Sequence, residues 1–293
     1  MSTNGQLTIV VRNDPPGVEG VNRAVESCVG RHPGMEDAIR LYGSIMEIQQ
    51  DVLSSLECTI DLPKSRIDSM LRGGTSLLEH SEVPLDPGVF RKTVGRIADV
   101  VAAKSPGGFE KSTDLASWEG LSDANAAGTR DLVVSGGPLE FDESWSDHDA
   151  GVAGSVMWEA LYPFYRVCGS RLEGRIDQTI WHRGSCPVCG SRPLIGKLRD
   201  DDGLWLVECS LCHTLWNLKR VGCAFCEKGK EGTREYFYID DDRSRRVMYC
   251  SACSRYVKTI DIREGGNDIL LALEDIVTIR LDQAAAEEGL KPA

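Results

Sequence analysis

The sequence predicts an α+β multidomain protein: an all-α N-terminal domain, then two tandem β units each built around a metal site, then a C-terminal helix. Three observations predict it. Apolar residues recur at helical spacing through much of residues 21–177, four Cys-x-x-Cys pairs fall between Cys186 and Cys253, and residues 269–287 carry a further amphipathic stripe. The implied segments are a helical domain over 1–183, metal ribbons over 184–221 and 222–264, and a helical tail over 265–293.

The N-terminal segments follow from punctuation and period. Residues 1–20, with Asn13-Asp14-Pro15-Pro16-Gly17, have no usable period and are expected to begin as a loosely held arm. From Val21 the pattern is helical, breaks at Arg31-His32-Pro33-Gly34 and resumes at Met35, where Leu41, Ile45, Ile48, Val52 and Leu56 share one stripe and Ile39, Tyr42, Met46 and Leu53 an adjacent one. So wide an apolar face predicts a helix buried among others. Pro63 and Gly73-Gly74 punctuate the next stretch, and Asp86-Pro87 opens a helix carrying Phe90, Val94, Ile97 and Val101 that ends near Lys104. Residues 105–150 read as short helices and loops. A long helix then runs from about Val152 to Asp177, with Met157, Leu161, Phe164 and Val167 on one face, Trp158, Tyr162 and Tyr165 on a second, and a kink expected at Pro163.

The cysteines define the centre of the chain. Two residues between cysteines allow a tight turn to aim both sulfurs at one ion, and two such turns complete a tetrahedral S4 site. The 19 residues between Cys189 and Cys209 and the 23 between Cys226 and Cys250 are each hairpin-length. Pro193 to Arg199 and Leu204 to Glu208 flank an Asp-Gly turn; Glu235 to Ile239 and Arg245 to Tyr249 flank a second tip, and Tyr256 to Ile262 offers a further strand. The repeat predicts two rubredoxin-like or zinc-ribbon units. One would take an ion on Cys186, Cys189, Cys209 and Cys212, the other on Cys223, Cys226, Cys250 and Cys253, giving two metal ions per chain, iron or zinc. Pairing Cys209/Cys212 with Cys223/Cys226 is the alternative, but it strands the outer turns. His213 is a possible substitute ligand that four thiolates make unnecessary, and the aspartates at 200–202 and 240–242 read as solvated hairpin tips before hard-metal ligands. Cys28, Cys58 and Cys168 fall in helical segments as small buried apolar residues. After the ribbons, Gly265-Gly266-Asn267 reads as a hinge and Asp268 as the cap of a helix over 269–287 that docks on a ribbon or on the helical domain.

Other classes are disfavoured. The start Met1-Ser2-Thr3-Asn4-Gly5-Gln6 has no basic n-region, and Leu7 to Val11 is too short for a signal core, so a reduced, cytoplasmic protein is expected and disulfides are not. No run approaches the 18 or more apolar residues of a membrane span. Net charge is −12, and residues 184–264 carry 14 Lys+Arg against 12 Asp+Glu, leaving no basic face for nucleic acid once thiolates are counted. No Ser/His/Asp set, phosphate loop or carboxylate pair stands out, so no enzyme is expected.

The runs Cys186-Pro187-Val188-Cys189-Gly190-Ser191-Arg192-Pro193, Cys209-Ser210-Leu211-Cys212-His213-Thr214-Leu215-Trp216, Arg220-Val221-Gly222-Cys223-Ala224-Phe225-Cys226 and Tyr249-Cys250-Ser251-Ala252-Cys253-Ser254-Arg255-Tyr256 resemble the formate dehydrogenase accessory protein family. Weaker likeness lies in Arg31-His32-Pro33, Gln49-Gln50, Asp275 to Asp282 and Ala286-Glu287-Glu288-Gly289. The resemblance implies a role in the post-translational maturation of a respiratory, exported formate dehydrogenase. It also implies that enzyme's catalytic subunit as partner, all eight cysteines as ligands, and iron as the working metal with zinc as the alternative occupant. The competing expectations are a nucleic-acid-binding zinc ribbon and a rubredoxin-like electron-transfer or thiol-redox protein.

Overall fold

A computed structural model describes residues 13, 15–104, 109–181, 183–199, 203–218, 222–226, 234–240, 242–265 and 269–293. Helix α1 (Gly17–Arg31) starts ahead of the expected Val21 and lies against α2 (Glu36–Ser55). Between them His32 N–H closes on the carbonyls of Cys28 and Val29, and Gly34 supplies the left-handed φ of +88° that turns the chain back. Helix α3 (Lys64–Gly73) follows Pro63 and stops at Gly74, φ +72°, where Thr75 N–H reaches Met70 O in 2.9 Å. Helix α4 (Pro87–Lys104) opens on proline at its first position, with Asp86 Oδ1 accepting from Val89 N–H at 2.8 Å.

Residues 105–150 contain α5 (Ser112–Ser117), a 3₁₀ turn over Glu119–Leu121 and α6 (Ala126–Ser135). Helix α7 (Asp147–Glu173) begins earlier than its apolar stripe, because Ser146 caps it by accepting from Asp149 N–H. Pro163, where a kink is expected, lies inside this continuous 27-residue helix. A proline there leaves the carbonyl of Glu159 without its helical donor, and Gln49 of α2 supplies one, its Nε2 lying 3.0 Å from Glu159 O. Thus α2 and α7 are joined at the point where α7 is weakest.

The strands are β1 (Pro193–Leu198), β2 (Trp205–Cys209), β3 (Leu215–Leu218), β4 (Arg234–Phe237), β5 (Arg245–Cys250) and β6 (Arg255–Asp261). They form one sheet in the order β3-β2-β1-β6-β5-β4. Each ribbon is an antiparallel meander, and the two meet where β1 pairs parallel with β6, Gly196 opposite Thr259. Strand β3, four residues directly after a knuckle, is too short to carry its own alternation in the sequence.

The tail departs from expectation. Helix α8 (Ile262–Gly265) closes β6, and the single helix expected over 269–287 is two, α9 (Leu271–Val277) and α10 (Ile279–Glu287). Thr278 separates them: its Oγ1 donates back to Glu274 O at 2.6 Å, a side-chain bond that competes with helix propagation. Strand β7 (Lys291–Pro292) then pairs with β6. The proposed cap Asp268 and hinge residues Gly266-Asn267 lie outside the described residues. Helix α9 packs against both α2 and β1, and α10 against β5 and β6, so the tail clasps the helical layer and the sheet together.

The largest core cluster shows how the first ribbon is seated. Phe90, Phe164, Leu172 and Trp181 of the helical layer share one continuous apolar cluster with Cys186, Val188, Leu211 and Trp216. Burial of this kind contributes about 1.5–3 kcal/mol per large side chain. The first ribbon therefore completes the helical core, while Val247, Tyr256, Leu281 and Ala285 form a separate small core under the second.

Candidate metal centres

The structure brings the eight cysteines together in two groups of four, pairing the turns sequentially: Cys186, Cys189, Cys209 and Cys212 in one, Cys223, Cys226, Cys250 and Cys253 in the other. In the first knuckle Cys186 N–H bonds Ser191 O at 2.8 Å, Gly190 N–H returns to Cys186 O at 3.0 Å, and Val188 N–H points at Cys186 Sγ from 3.4 Å. The second repeats it: His213 N–H returns to Cys209 O at 3.2 Å, and Leu211 N–H points at Cys209 Sγ from 3.4 Å. The third aims Phe225 N–H at Cys223 Sγ at 3.3 Å, and in the fourth Ser254 N–H returns to Cys250 O at 2.8 Å.

This return bond explains three backbone outliers. The residue after the second cysteine must take a left-handed φ, and it does so in Gly190 at +79°, His213 at +52° and Ser254 at +56°. His213 is thus a turn residue. Its ring packs edge-on against Tyr162 at 4.4 Å, and its Nδ1 lies 3.3 Å from Glu208 Oε1, so it does not join the sulfurs as a substitute ligand.

The sulfur spacing fits an ion. Cys186–Cys212, Cys189–Cys212 and Cys189–Cys209 Sγ separations are 3.6, 3.5 and 3.4 Å, and Cys223–Cys253 is 3.8 Å. A tetrahedron with metal–sulfur bonds of ~2.3 Å has edges of about 3.8 Å, whereas a disulfide brings sulfurs to about 2.05 Å. The N–H groups aimed at sulfur suit thiolates. Burial pushes the Cys186 and Cys209 thiols up, and a divalent cation among them supplies the charge that lets such sulfurs ionise. Each cluster therefore has the donors for one ion, and the donor set suits iron and zinc alike.

The two clusters sit in different surroundings. All four sulfurs of the first are buried in the joint core, and Leu77 and Leu78 N–H groups fasten its knuckle by bonding Pro187 O and Val188 O, each at 2.9 Å. In the second only Cys250 is buried.

A charged group absent from the sequence reading braces the first cluster. Arg166 of α7 is buried and makes a two-point pair with Glu173, Nη1 to Oε2 at 3.0 Å and Nη2 to Oε1 at 2.9 Å, while Nη1 also donates to Cys212 O at 3.1 Å. Asn13 is held against it: its N–H donates to Glu173 Oε1 at 3.1 Å, its Nδ2 to Glu208 Oε2 at 2.9 Å and to His213 O at 2.7 Å, and its carbonyl accepts from Arg166. Asn13, expected in a loosely held arm, is thus tied to the metal knuckle. The signal in the sequence is a charge at position 166 within an aromatic stripe.

The remaining candidates resolve as structure. Cys28, His32 and Glu274 also lie within ligand distance of one another. Glu274, however, accepts from Arg31 at 3.3 Å and Arg245 at 2.8 Å, and Arg245 Nη2 stands 3.1 Å from His32 Nε2, so guanidinium groups fill the place of a cation. Burial pushes the Cys28 thiol up to about 11, and Cys28, Cys58 and Cys168 are all buried as expected of apolar fillers, though Cys58 lies beyond the end of α2 and not in a helix as expected. Asp240 pairs with Arg280, and Asp242 with Arg245 at 3.1 Å; residues 200–202 and 241 lie outside the described residues. The tail motif is a clasp: Lys258, almost fully buried, reaches Asp275 Oδ1 at 2.8 Å and Asp282 Oδ2 at 2.7 Å. No helix of the described residues is long and apolar enough to cross a membrane.

Comparison with known proteins adds a family. The model "FdhE, central domain" matches residues 185–220, the span that holds the first cluster. The chain is similar to the "Protein FdhE homolog" of Aquifex aeolicus (strain VF5), 33% identical over 264 residues, covering 88% of this chain and 87% of that one. It is 25% identical over 259 residues to "Protein FdhE" of Shigella boydii serotype 18, covering 87% and 79%. Its fold is like that of the FdhE protein from Pseudomonas aeruginosa seen by crystallography, with TM-score 0.66, 20% identity, and 98% and 96% of the two chains covered.

Proposed function

The chain belongs to the FdhE family, and from that premise we propose that it is an accessory factor of a respiratory formate dehydrogenase. In this reading it binds the catalytic subunit of that enzyme in the cytoplasm and supports its maturation before export. The role is one of binding and assembly rather than turnover. The observation that carries it is the coincidence of the family's central domain with a cluster of four thiols sunk in the core and braced by Arg166.

We propose further that all eight cysteines are ligands and that each cluster holds one ion, iron or zinc. An ion held there would offset part of the charge of the four thiolates and cross-link the two knuckles of each ribbon. Knuckle N–H groups orient the sulfurs, Leu77 and Leu78 hold the first knuckle, and Arg166 holds the second on the helical layer.

Co-purification tests the client. A tagged copy expressed in a formate-respiring bacterium should retain the catalytic subunit of its formate dehydrogenase; recovery of none under either aerobic or anaerobic growth would sink the reading. Metal analysis tests the ligands. Two ions per chain are expected, falling to one in Cys253→Ser, whose cluster lies at the surface and can be lost without opening the main core. Two ions retained in that variant would refute the assignment.

A further inference from the structure

A cleft of about 710 Å³ opens between the two ribbons. Its walls come from both: Arg183 ahead of the first knuckle, Arg192 at the start of β1, Phe225 and Cys226 of the third knuckle, and Arg255 at the start of β6. The exposed Arg192 and Arg255 line it from the two ribbons, and among the described residues no Asp or Glu does, in a chain with 45 acidic residues against 33 basic ones. Arg192 and Arg255 are exposed, and neither forms a salt bridge among the described residues.

Part of the wall is apolar and closely built. Gly184 N–H bonds Ala224 O at 3.1 Å, and the Phe225 ring lies so close over Gly184 that a Cβ there would stand 2.2 Å from it. Only glycine admits that ring. Pro193 and Pro292 complete the apolar surface between the arginines. Two exposed guanidinium groups, one on each ribbon, with apolar wall between them match a chain that spaces carboxylates along hydrocarbon stems, since each guanidinium takes one carboxylate two-pronged. The volume is in the range that holds a compact ligand or short peptide stretch.

We propose that this inter-ribbon cleft binds a carboxylate-rich peptide segment of a partner protein, with Arg192 and Arg255 as its principal contacts. The proposal rests on the accessory-factor reading only for which protein supplies the segment. The ion pairs lie beside Cys226, so the segment docks against the second cluster and not the buried first one.

The test uses the full-length, metal-loaded protein and a fluorescein-labelled peptide alternating glutamate with alanine, followed by anisotropy at low ionic strength. Saturable binding is expected, weakened by salt, with the glutamine counterpart unable to compete. The double variant Arg192→Gln/Arg255→Gln should lose about tenfold or more in affinity, the scale of one or two charged hydrogen bonds. Wild-type affinity in that variant, equal binding of the glutamine peptide, or displacement by inorganic phosphate at the same concentration as unlabelled peptide would each overturn the proposal. Phenylglyoxal footprinting of the unsubstituted protein needs no variant to fold: the peptide should protect Arg192 and Arg255, and unprotected arginines refute it. Client co-purification is read separately. Peptide binding without a client removes the partner's identity and leaves the cleft standing; undiminished client capture by the double variant overturns the cleft as the docking site.

Discussion

Replacing Arg166 with methionine should destabilise the protein by about 3–5 kcal/mol, the cost of breaking a buried ion pair from one side. The structure sets this magnitude. Arg166 is 1% exposed and Glu173 2%, and they share two charged bonds. Methionine nearly keeps the volume but leaves the Glu173 carboxylate buried with, among the described residues, Asn13 N–H as its remaining donor. At roughly 2–4 °C per kcal/mol for chains of this size, the midpoint should fall by about 6–20 °C in calorimetry of the metal-loaded protein. The double variant Arg166→Met/Glu173→Gln removes the stranded charge and should recover more than half of the loss. A single-variant cost below about 1 kcal/mol, or a double variant as unstable as the single, would refute the view that this pair is a closed electrostatic unit bracing the knuckle.

Two further outcomes follow from burial. With a strong chelator and a colorimetric metal indicator, one equivalent should leave quickly from the second cluster, and the other only as fast as the protein unfolds, because all four sulfurs of the first are enclosed; simultaneous release of both would contradict this. Glu159, pushed up to about 7 by burial against the partial relief of Gln49, binds its proton more tightly folded than unfolded, so its stabilising contribution is complete below about pH 4.5 and is lost as pH rises towards 7. Glu159→Gln should flatten the fall in stability between about pH 4.5 and pH 7, by at most about 3 kcal/mol, and an unchanged slope in urea titrations would assign that fall to other groups.

The metal knuckles were legible because their information is local. Two cysteines three positions apart, a turn and a hairpin-length spacer lie within one stretch of chain, and the sequential pairing seen in the structure is the one those spacers favour. The left-handed residues were half legible: Gly190 announces itself, whereas His213 and Ser254 take the same φ without the residue type that signals it. What the sequence hid is long-range. The β1–β6 pairing depends on strands brought together only by the finished fold, and the Asn13–Arg166–Glu173–Glu208 group draws on three separate regions. The apolar period over 269–287 was correctly read as helical, but it cannot show that Thr278 prefers its own carbonyl neighbours to an uninterrupted helix.

The parallel seam between β1 and β6 also orders events during synthesis. Cys212 follows Cys186 closely, so the first tetrathiol and its hairpin can close while most of the second ribbon is still inside the ribosome. Strand β1 must then wait, one edge open, for Thr259 and its neighbours to emerge. Its final neighbour is the last strand of the second ribbon, which cannot arrive until that ribbon's own four sulfurs have been translated. A chain interrupted after the first four sulfurs would therefore have its first hairpin and still present an unpaired strand.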